Sequence, residues 1–349
     1  APGPAAAAAA AAEGGSDGSV QLLVGCCVVF SILVTLCQIR MQMIWNSNAR
    51  MRKHVVRILM MVPIYATQSY LGLMFPASST LFDTLRECYE AVVIYSFFGL
   101  LIGFLGGERH VIFLMENKPN EFVVHPRVFQ TCLGTRVRMG EDYFQFTKLG
   151  TLQYIVVKPI TAMCIFLLEG IGVYGEDDPF RLDRGYLYIV ALNSVSQALA
   201  IYCLLQFYRT MKAELLPLDF VSKALVLKAV IFFTYWQAIG LRLLHSSGIT
   251  SLRANSGAED SIPRLVDLTL CVEMAGFAVG QWVAWGKGSE FFDPENKISE
   301  PYGASVLAAA NLKDVWQDAQ QAVENGEVSR LLTKDNPNSR EQPFDLTEI

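Results

Sequence analysis

The chain has 349 residues, of which 52% are hydrophobic and 17% are charged, and its formal net charge is −5. Soluble domains usually carry about 25% charged residues, so this composition argues against a soluble globular protein. The charged residues cluster in a few segments and leave long apolar stretches between them. This distribution is typical of a chain that crosses a membrane several times.

Seven stretches are long and apolar enough to cross a bilayer as helices, since a hydrocarbon core of about 30 Å needs about 20 residues. Three segments, at 20–39, 58–82 and 185–208, contain no charged residue at all. The pattern predicts an all-α membrane protein, a seven-transmembrane-helix bundle, and disfavours a large soluble helical protein. The predicted spans are 20–45, 55–75, 82–105, 149–170, 186–207, 221–244 and 264–285.

Lysine and arginine residues are concentrated in every second loop between these spans. The first loop, 46–54, has three of them, and the third loop, 106–148, has six. The fifth loop is also basic, with Arg209 and Lys212. Because cytosolic loops carry the excess of basic residues, we expect the N-terminus outside or in a lumen and the C-terminus in the cytosol.

The two ends of the chain differ from the spans in composition. Residues 1–19 are of low complexity and include a run of alanines, and we expect a flexible tail there. Residues 286–349 form a polar cytosolic tail. Within it, a short amphipathic helix is predicted over about 304–324, lying on the membrane surface or on the bundle. Its apolar positions are Leu312, Val315, Trp316, Ala319 and Val323.

Motifs of enzymes and metal sites are not found in the sequence. Seven of the eight cysteines lie in predicted spans, which favours small apolar fillers, with acylation of Cys26 and Cys27 as the alternative. The sequence has no CxxC motif, histidine cluster, P-loop or nucleophile–base pairing, so we expect no metal, no cofactor and no enzymatic activity. A retinal protein would need a lysine in the last span, and 264–285 has none. We expect no nucleic-acid partner.

Six segments in order along 55–285 resemble the signature segments of the transmembrane protein 184 family, which is related to the organic solute transporter alpha subunits. The resemblance implies the seven-helix fold and transport of amphipathic solutes such as bile acids and steroids. It also implies, as partner, a small single-span beta-type subunit. The segments are VRILMMVPIYATQSYLGLMF, RECYEAVVIYSFFGLLIGFLGGE, GTLQYIVVKP, GYLYIVALNSVSQALAIYCLLQFY, LKAVIFFTYWQ and CVEMAGFA. DVWQDA also resembles the family's segment after the last span.

Ionisable side chains within predicted spans are candidate functional groups, because they are costly in a bilayer. With the predicted orientation, two lysines lie in the inner half of the bilayer and carboxylates lie in the outer half and the middle. Two amides on one face of span five add hydrogen-bonding capacity. The candidate substrate-binding residues are Lys158, Lys228, Glu90, Glu273, Asn193 and Gln197.

Lys158 is followed by Pro159, which cannot donate a backbone hydrogen bond to the carbonyl of Ile155. A freed carbonyl beside an ammonium is tolerated in a membrane only where it is buried in protein or lines a wet cavity. We therefore expect Lys158 to face a polar cavity within the bundle. The alternative is a structural ion pair with Glu273 or Glu90, and for Lys228 it is snorkelling towards the interface.

Span seven carries two further features. We expect the Glu273 carboxyl group to be buried and hydrogen-bonded to a side chain of span three or span four. Gly276 and Gly280 lie on about the same face and form a small-xxx-small pattern, which predicts close packing against a neighbouring helix.

Two functions agree with these features. The first is a transporter or carrier subunit for amphipathic organic solutes, namely sterol- or bile-acid-like anions. The alternative is a non-transporting, receptor-like or scaffold subunit of a larger membrane assembly. A cavity that reaches Lys158 and Lys228 favours the first, and a sealed core with paired charges favours the second. Either protein is integral to the plasma membrane or an endomembrane, in contact with membrane lipids.

Overall fold

The computed structural model describes the protein largely as helices. The described residues are 4–46, 48–118, 122–124, 136–175, 182–218, 261–286 and 311–324, with the single positions 223, 224, 226, 229 and 240. Their helices are α1 (Pro4–Trp45), α2 (Ala49–Leu59), α3 (Met61–Met74), α4 (Ser79–Phe104), α5 (Glu108–Glu116), α6 (Glu141–Gly170), α7 (Tyr186–Thr210), α8 (Ser261–Trp285) and α9 (Lys313–Glu324).

Five of the described helices are long and apolar enough to cross a membrane. They are Ser19–Trp45 within α1, the whole of α4, α6 and α7, and Arg264–Trp285 within α8. These segments coincide with predicted spans one, three, four, five and seven. The helical membrane architecture is thereby confirmed with five candidate spans, and the count of seven stays a prediction.

The second and sixth predicted spans are different cases. Over 55–75 the chain forms two helices, α2 and α3, which are separated at Met60. Pro63 explains the break, because it has no N–H to donate to the carbonyl of Leu59, four residues earlier. The sixth span, 221–244, lies outside the described residues except for the five single positions above, and Lys228 also lies outside the described residues.

Two local features were not predicted from the sequence. The tail expected over 1–19 is helical from Pro4 onwards, because its run of alanines has the highest helix propensity of any residue type. The third loop contains, besides α5, a short antiparallel hairpin of β1 (Phe122–Val124) and β2 (Arg136–Arg138). In this hairpin Val123 lies opposite Val137.

The described residues fall into two compact units. The first unit comprises Ala1–Leu100 and Leu215–Ala310. In it α1 packs against α3 and α8, and α8 also packs against α3. Its apolar core is formed largely by one stretch that continues from α2 into α3, with Ile58, Leu59, Met61 and Val62 fully buried.

The second unit comprises Leu101–Glu214 and Asn311–Ile349. Its centre is the antiparallel pair α6 and α7, and α5 and α9 pack against α6. The helix α9 confirms part of the predicted amphipathic helix. Its Val315 is buried, and its Asp318 carboxylate lies 3.5 Å from the Lys148 ammonium of α6. This helix therefore lies on the protein, which was one of the two predicted positions.

The predicted orientation can be tested on sealed vesicles of known sidedness. A protease added on the extracellular or lumenal side is expected to cleave before Val20 and to leave the basic loop 106–148 intact, because that loop is expected on the cytosolic side. Fragment masses from both sides of the membrane provide the measurement. Cleavage within 106–148 from the extracellular side would reverse the predicted topology.

Candidate functional site

Lys158 lies on the buried face of α6. This face is formed by buried residues that recur every three or four positions, namely Thr147, Thr151, Tyr154, Lys158, Thr161 and Ile165. The next positions around the helix, such as Ile160 and Met163, are exposed apolar residues suited to lipid. Lys158 itself is 7% exposed. The lysine therefore points into the protein, as a charge within a bilayer-spanning helix should.

An aromatic ring and a carbonyl define the surroundings of Lys158. Its ammonium nitrogen lies 5.8 Å from the centre of the Tyr154 ring, one turn earlier on α6. At this distance the ring quadrupole attracts a cation. The helix continues through Pro159, so the carbonyl of Ile155 receives no backbone bond from that position. Lys158 thus lies where α6 has both a polarisable ring and a missing backbone donor.

Thr161 connects this part of α6 to α7. Its hydroxyl group donates a shared hydrogen bond to the Lys158 carbonyl oxygen at 3.0 Å and to Asn193 Oδ1 at 2.9 Å. Asn193 was a predicted candidate, and Thr161 was not. The structure therefore brings two predicted residues, Lys158 and Asn193, to either side of a threonine hydroxyl.

A second polar pair lies further along the same two helices. The Ser196 hydroxyl donates to Gln153 Oε1 at 2.6 Å, and Gln153 Nε2 donates to the Ser196 carbonyl oxygen at 2.7 Å. The prediction placed Asn193 and Gln197 together on one face of span five. In the structure Ser196 also pairs with α6, and Gln197 is half-buried. Gln153 and Ser196 were missed by the sequence analysis.

A third contact completes the set that we name the α6–α7 interface. The hydroxyl groups of Tyr143 and Thr210 are 3.0 Å apart. The interface therefore consists of the pairs Tyr143–Thr210, Gln153–Ser196 and Thr161–Asn193, in the reverse order on the two antiparallel helices. Hydrogen bonds of this kind hold helices together where lipid removes the hydrophobic drive for association.

The Thr161 hydroxyl can be tested by an isosteric substitution. Thr161→Val keeps the branched shape and removes the donor, so the free energy of unfolding is expected to fall by about 0.6 to 1.5 kcal/mol. Thr161→Ser keeps the donor, so the free energy of unfolding is expected to fall by less in this variant. Forced unfolding of single molecules in a bilayer measures both variants. A loss for serine with no loss for valine would assign the effect to the methyl group instead of the hydroxyl hydrogen bond.

Glu90 and Glu273 lie in the first unit, apart in the chain from the residues above. Glu273 is half-buried, and its Oε2 atom has no hydrogen-bond partner among the described residues. The bond predicted between the Glu273 carboxyl group and a side chain of span three or four is not made by this oxygen, and for the group as a whole it stays a prediction. The ion pair with Lys158 stays a prediction. Which residue faces a given carboxylate depends on helix packing, and the sequence does not specify that packing directly.

The two glycines of α8 make no close approach to another helix among the described residues. A Cβ atom added at Gly276 or Gly280 would meet no described atom within 4 Å. Close helix packing through these two positions is therefore not seen in the described part of the chain. A close approach between α3 and α8 occurs at Gly72, where an added Cβ would lie 2.8 Å from Asp267 Oδ2.

Asp267 belongs to a charged group that sequence analysis did not connect. Arg86 of α4 makes an ion pair with Asp83 at 2.8 Å, and its guanidinium lies 6.0 Å from the centre of the Tyr65 ring. Asp267 is within electrostatic reach of the same arginine. The absence of a side chain at Gly72 gives the Asp267 carboxylate its place beside α3.

The fold and these polar contacts define a class, an integral multi-pass membrane protein with ionisable and amide groups buried between its helices. The sequence profile described as "Organic solute transporter Ostalpha" matches residues 20–290. The chain therefore belongs to this family of transporters, in agreement with the resemblance of its motifs to the transmembrane protein 184 branch.

A curated relative supports the same membership. The chain is similar to Protein LAZ1 homolog 2 of Arabidopsis thaliana, with 34% identity over 271 residues. The match covers 74% of this chain and 65% of the relative. The chain thus spans somewhat less than two thirds of the length of this relative. No solved structure matches the chain.

Proposed function

We propose that this protein is a transporter or carrier subunit for amphipathic organic anions of the sterol or bile-acid type. The observation that carries the proposal is the burial of Lys158 on a bilayer-spanning helix, beside Tyr154 and the α6–α7 interface. An ammonium group at that depth is costly, and charged residues within membrane spans commonly mark the path of a solute or ion. An amphipathic anion supplies the opposite charge through its acid group, and its apolar body needs only apolar walls.

Asn193 and Gln197 are proposed as polar contacts for the same solute, and Lys228 stays a candidate substrate-binding residue. Glu90 and Glu273 are proposed as acceptors for hydroxyl groups of a sterol-like solute. The role is proposed to be non-enzymatic. A small single-span beta-type subunit or a larger membrane complex is the proposed partner, and the exposed apolar positions of α6 and α7, such as Met163 and Val195, offer a surface for one more helix.

One observation favours the second candidate, a scaffold subunit that transports nothing. The three polar pairs of the α6–α7 interface satisfy each other within the protein, which is how structural hydrogen bonds join membrane helices. In that case Lys158 is a structural residue, and the protein acts through its partners.

Uptake into proteoliposomes distinguishes the two candidates. The purified full chain is reconstituted alone and together with a beta-type subunit, and uptake of a labelled steroid sulfate is compared with uptake of a neutral steroid. A transporter subunit is expected to give saturable uptake of the anion above protein-free vesicles in at least one preparation. Anion uptake equal to that of protein-free vesicles in both preparations would favour the scaffold.

A further inference from the structure

A stripe of polar side chains runs along α1 in the first unit. Ser31, Thr35, Gln38, Gln42 and Asn46 follow one another at intervals of three or four residues and are completely or almost completely buried. This spacing puts them on a single face, because residues three and four apart are neighbours on a helix. The face points towards α8, as the following contacts show.

Two glutamines of this stripe donate to backbone carbonyls of α8. Gln38 Nε2 lies 2.7 Å from the Gln281 carbonyl oxygen, and Gln42 Nε2 lies 2.9 Å from the Trp285 carbonyl oxygen. Gln281 Nε2 in turn donates to the Ile58 carbonyl oxygen at 3.4 Å. The amide nitrogens of Gln38 and Gln281 are thus used to join α1, α2 and α8.

The amide oxygens of Gln38 and Gln281 are not used in these contacts. Gln38 Oε1 and Gln281 Oε1 are buried and have no hydrogen-bond partner among the described residues, and each residue is only 1% exposed. Buried polar atoms are nearly always paired, so two unpaired acceptors on facing helices call for an explanation. A group that satisfies them must donate hydrogen bonds, as a hydroxyl or an amide N–H does.

Two buried cations are connected to the Asn46 end of this stripe and to Trp285. Arg52 is 4% exposed and donates from Nη1 to the Asn46 carbonyl oxygen at 3.1 Å, and Asn46 Nδ2 donates to Gln42 Oε1 at 3.2 Å. Lys223 is 2% exposed, and its ammonium nitrogen lies 5.7 Å from the centre of the Trp285 ring. The contacts therefore link both cations, through Asn46, Gln42 and Trp285, into one cluster.

The cluster has a defined depth in the bilayer. Trp45 and Trp285 are the last residues of two bilayer-spanning segments, and tryptophan is enriched at the level of the lipid headgroups. Arg52 and Lys223 are connected to these helix ends. Gln281 lies four residues before Trp285, and Gln38 lies seven residues before Trp45. At 1.5 Å per residue the two unpaired amide oxygens lie about 6 to 10 Å deeper.

We propose that this cluster is a binding site for a phosphate-bearing amphiphile that carries a hydroxyl or amide N–H close to its phosphate. The phosphate is bound by Arg52 and Lys223, and the hydroxyl or N–H donates to Gln38 Oε1 and Gln281 Oε1. Basic pockets between membrane helices commonly bind anionic headgroups. Because the four side chains are buried, binding requires α1 and α8 to part at this end.

The depth of the amide oxygens selects among phospholipids. A diacyl glycerophospholipid has only ester oxygens below its phosphate, and these are acceptors that cannot bond to an amide oxygen. Ceramide 1-phosphate offers a hydroxyl and an amide N–H there, and lysophosphatidic acid offers a hydroxyl. The site is therefore proposed to prefer these two over phosphatidic acid with the same acyl chain. This binding does not depend on whether the protein transports a solute.

The first test uses the unmodified full chain. The purified, delipidated protein is titrated with ceramide 1-phosphate, lysophosphatidic acid, phosphatidic acid and uncharged ceramide, and bound lipid is counted by native mass spectrometry. The first two are expected to bind roughly fivefold to tenfold more tightly than phosphatidic acid, which is the range of one net hydrogen bond. The tighter of the two identifies a sphingolipid or a lysolipid as the source. Equal binding of phosphatidic acid would overturn the proposal.

The second test separates the two parts of the site. Gln281→Met is expected to remove the preference over phosphatidic acid and to keep binding of the phosphate. Lys223→Met is expected to weaken all phosphate-bearing lipids and to keep the preference. Gln317→Met, at an exposed glutamine of α9 in the second unit, is the matched control and is expected to change neither. If the preference over phosphatidic acid survives Gln281→Met, the Gln281 amide oxygen does not accept a hydrogen bond from the lipid hydroxyl or amide N–H.

Discussion

Lys158→Met is expected to weaken binding of an anionic steroid about tenfold to a hundredfold and to leave binding of a neutral steroid unchanged. In a desolvated site, a hydrogen bond to a charged group contributes roughly 1.5–3 kcal/mol. One decade in affinity corresponds to about 1.4 kcal/mol. Methionine keeps most of the length and the apolar stem of lysine, so the variant removes the charge with little change of volume.

Lys158→Arg tests whether the position needs a charge or an ammonium group. Arginine keeps the positive charge, but its planar guanidinium is larger and donates in fixed directions. Beside Pro159 and the Tyr154 ring there is little room for this change of shape, so an intermediate loss of anion binding is expected. Binding of one anionic and one neutral ligand to the purified protein gives the ratio of the two affinities for each variant.

Lys148→Met provides the matched control on the same helix. Lys148 lies ten residues before Lys158, and its ammonium nitrogen contacts Glu108 at 2.8 Å and Asp318 at 3.5 Å. Its loss should affect the attachment of α9 and leave the ratio of anion to neutral binding unchanged. A Lys158→Met protein that folds and binds both ligands like the unmodified chain would make Lys158 a structural residue and favour the scaffold.

The spans confirmed by the structure were predictable because hydropathy is a property of each helix by itself. Ser19–Trp45 and Tyr186–Thr210 need no knowledge of their neighbours to be recognised. The exception within the described residues is the predicted span 55–75. The mean hydropathy of this segment does not reveal the effect of Pro63 on the helix. The break at Met60 follows from the missing backbone N–H of Pro63.

The site was less predictable, because its contacts depend on which helices are neighbours. Gln153 and Ser196 are 43 residues apart, and Thr161 and Asn193 are 32 apart. Gln153, Ser196 and Thr161 carry no charge, so a search for buried charges passes over them. A signal was nevertheless present, since Thr161 shares its helix face with Lys158.

The polar stripe on α1 could also be predicted only in part from the sequence. Thr35, Gln38 and Gln42 recur at helical spacing within or beside a charge-free segment, and this pattern could have indicated a protein-facing side of span one. It could not have indicated that the partners are carbonyl groups of Gln281 and Trp285, 243 residues away in each case. The prediction for Gly276 and Gly280 has the same limit, because small residues mark a close approach only where a second helix is present.

Gly150→Ala is expected to lower the free energy of unfolding by about 1 to 2 kcal/mol, although alanine is the better helix former. In the interior of α6, alanine should gain about 0.5–1 kcal/mol over glycine. The added methyl group, however, would collide with the Cys203 sulfur atom of α7, and Cys203 is fully buried. Overpacking of a buried contact costs about 1–3 kcal/mol, so the steric cost should exceed the gain.

A second substitution tests whether the collision with Cys203 is the cause. Cys203→Ala removes the sulfur atom and leaves a Cβ atom 3.3 Å from the added methyl group, a tight contact that small shifts can relieve. The double variant should therefore be more stable than the sum of the two single losses predicts, with a coupling of about 0.5–3 kcal/mol. Gly170→Ala at the end of the same helix is the control, because its added methyl group would meet no described atom within 4 Å. Unfolding in a bilayer or in mild detergent measures all four proteins. Additive losses in the double variant would mean that α6 and α7 do not approach each other at Gly150, and the three polar pairs of the α6–α7 interface would then need a different alignment of the two helices.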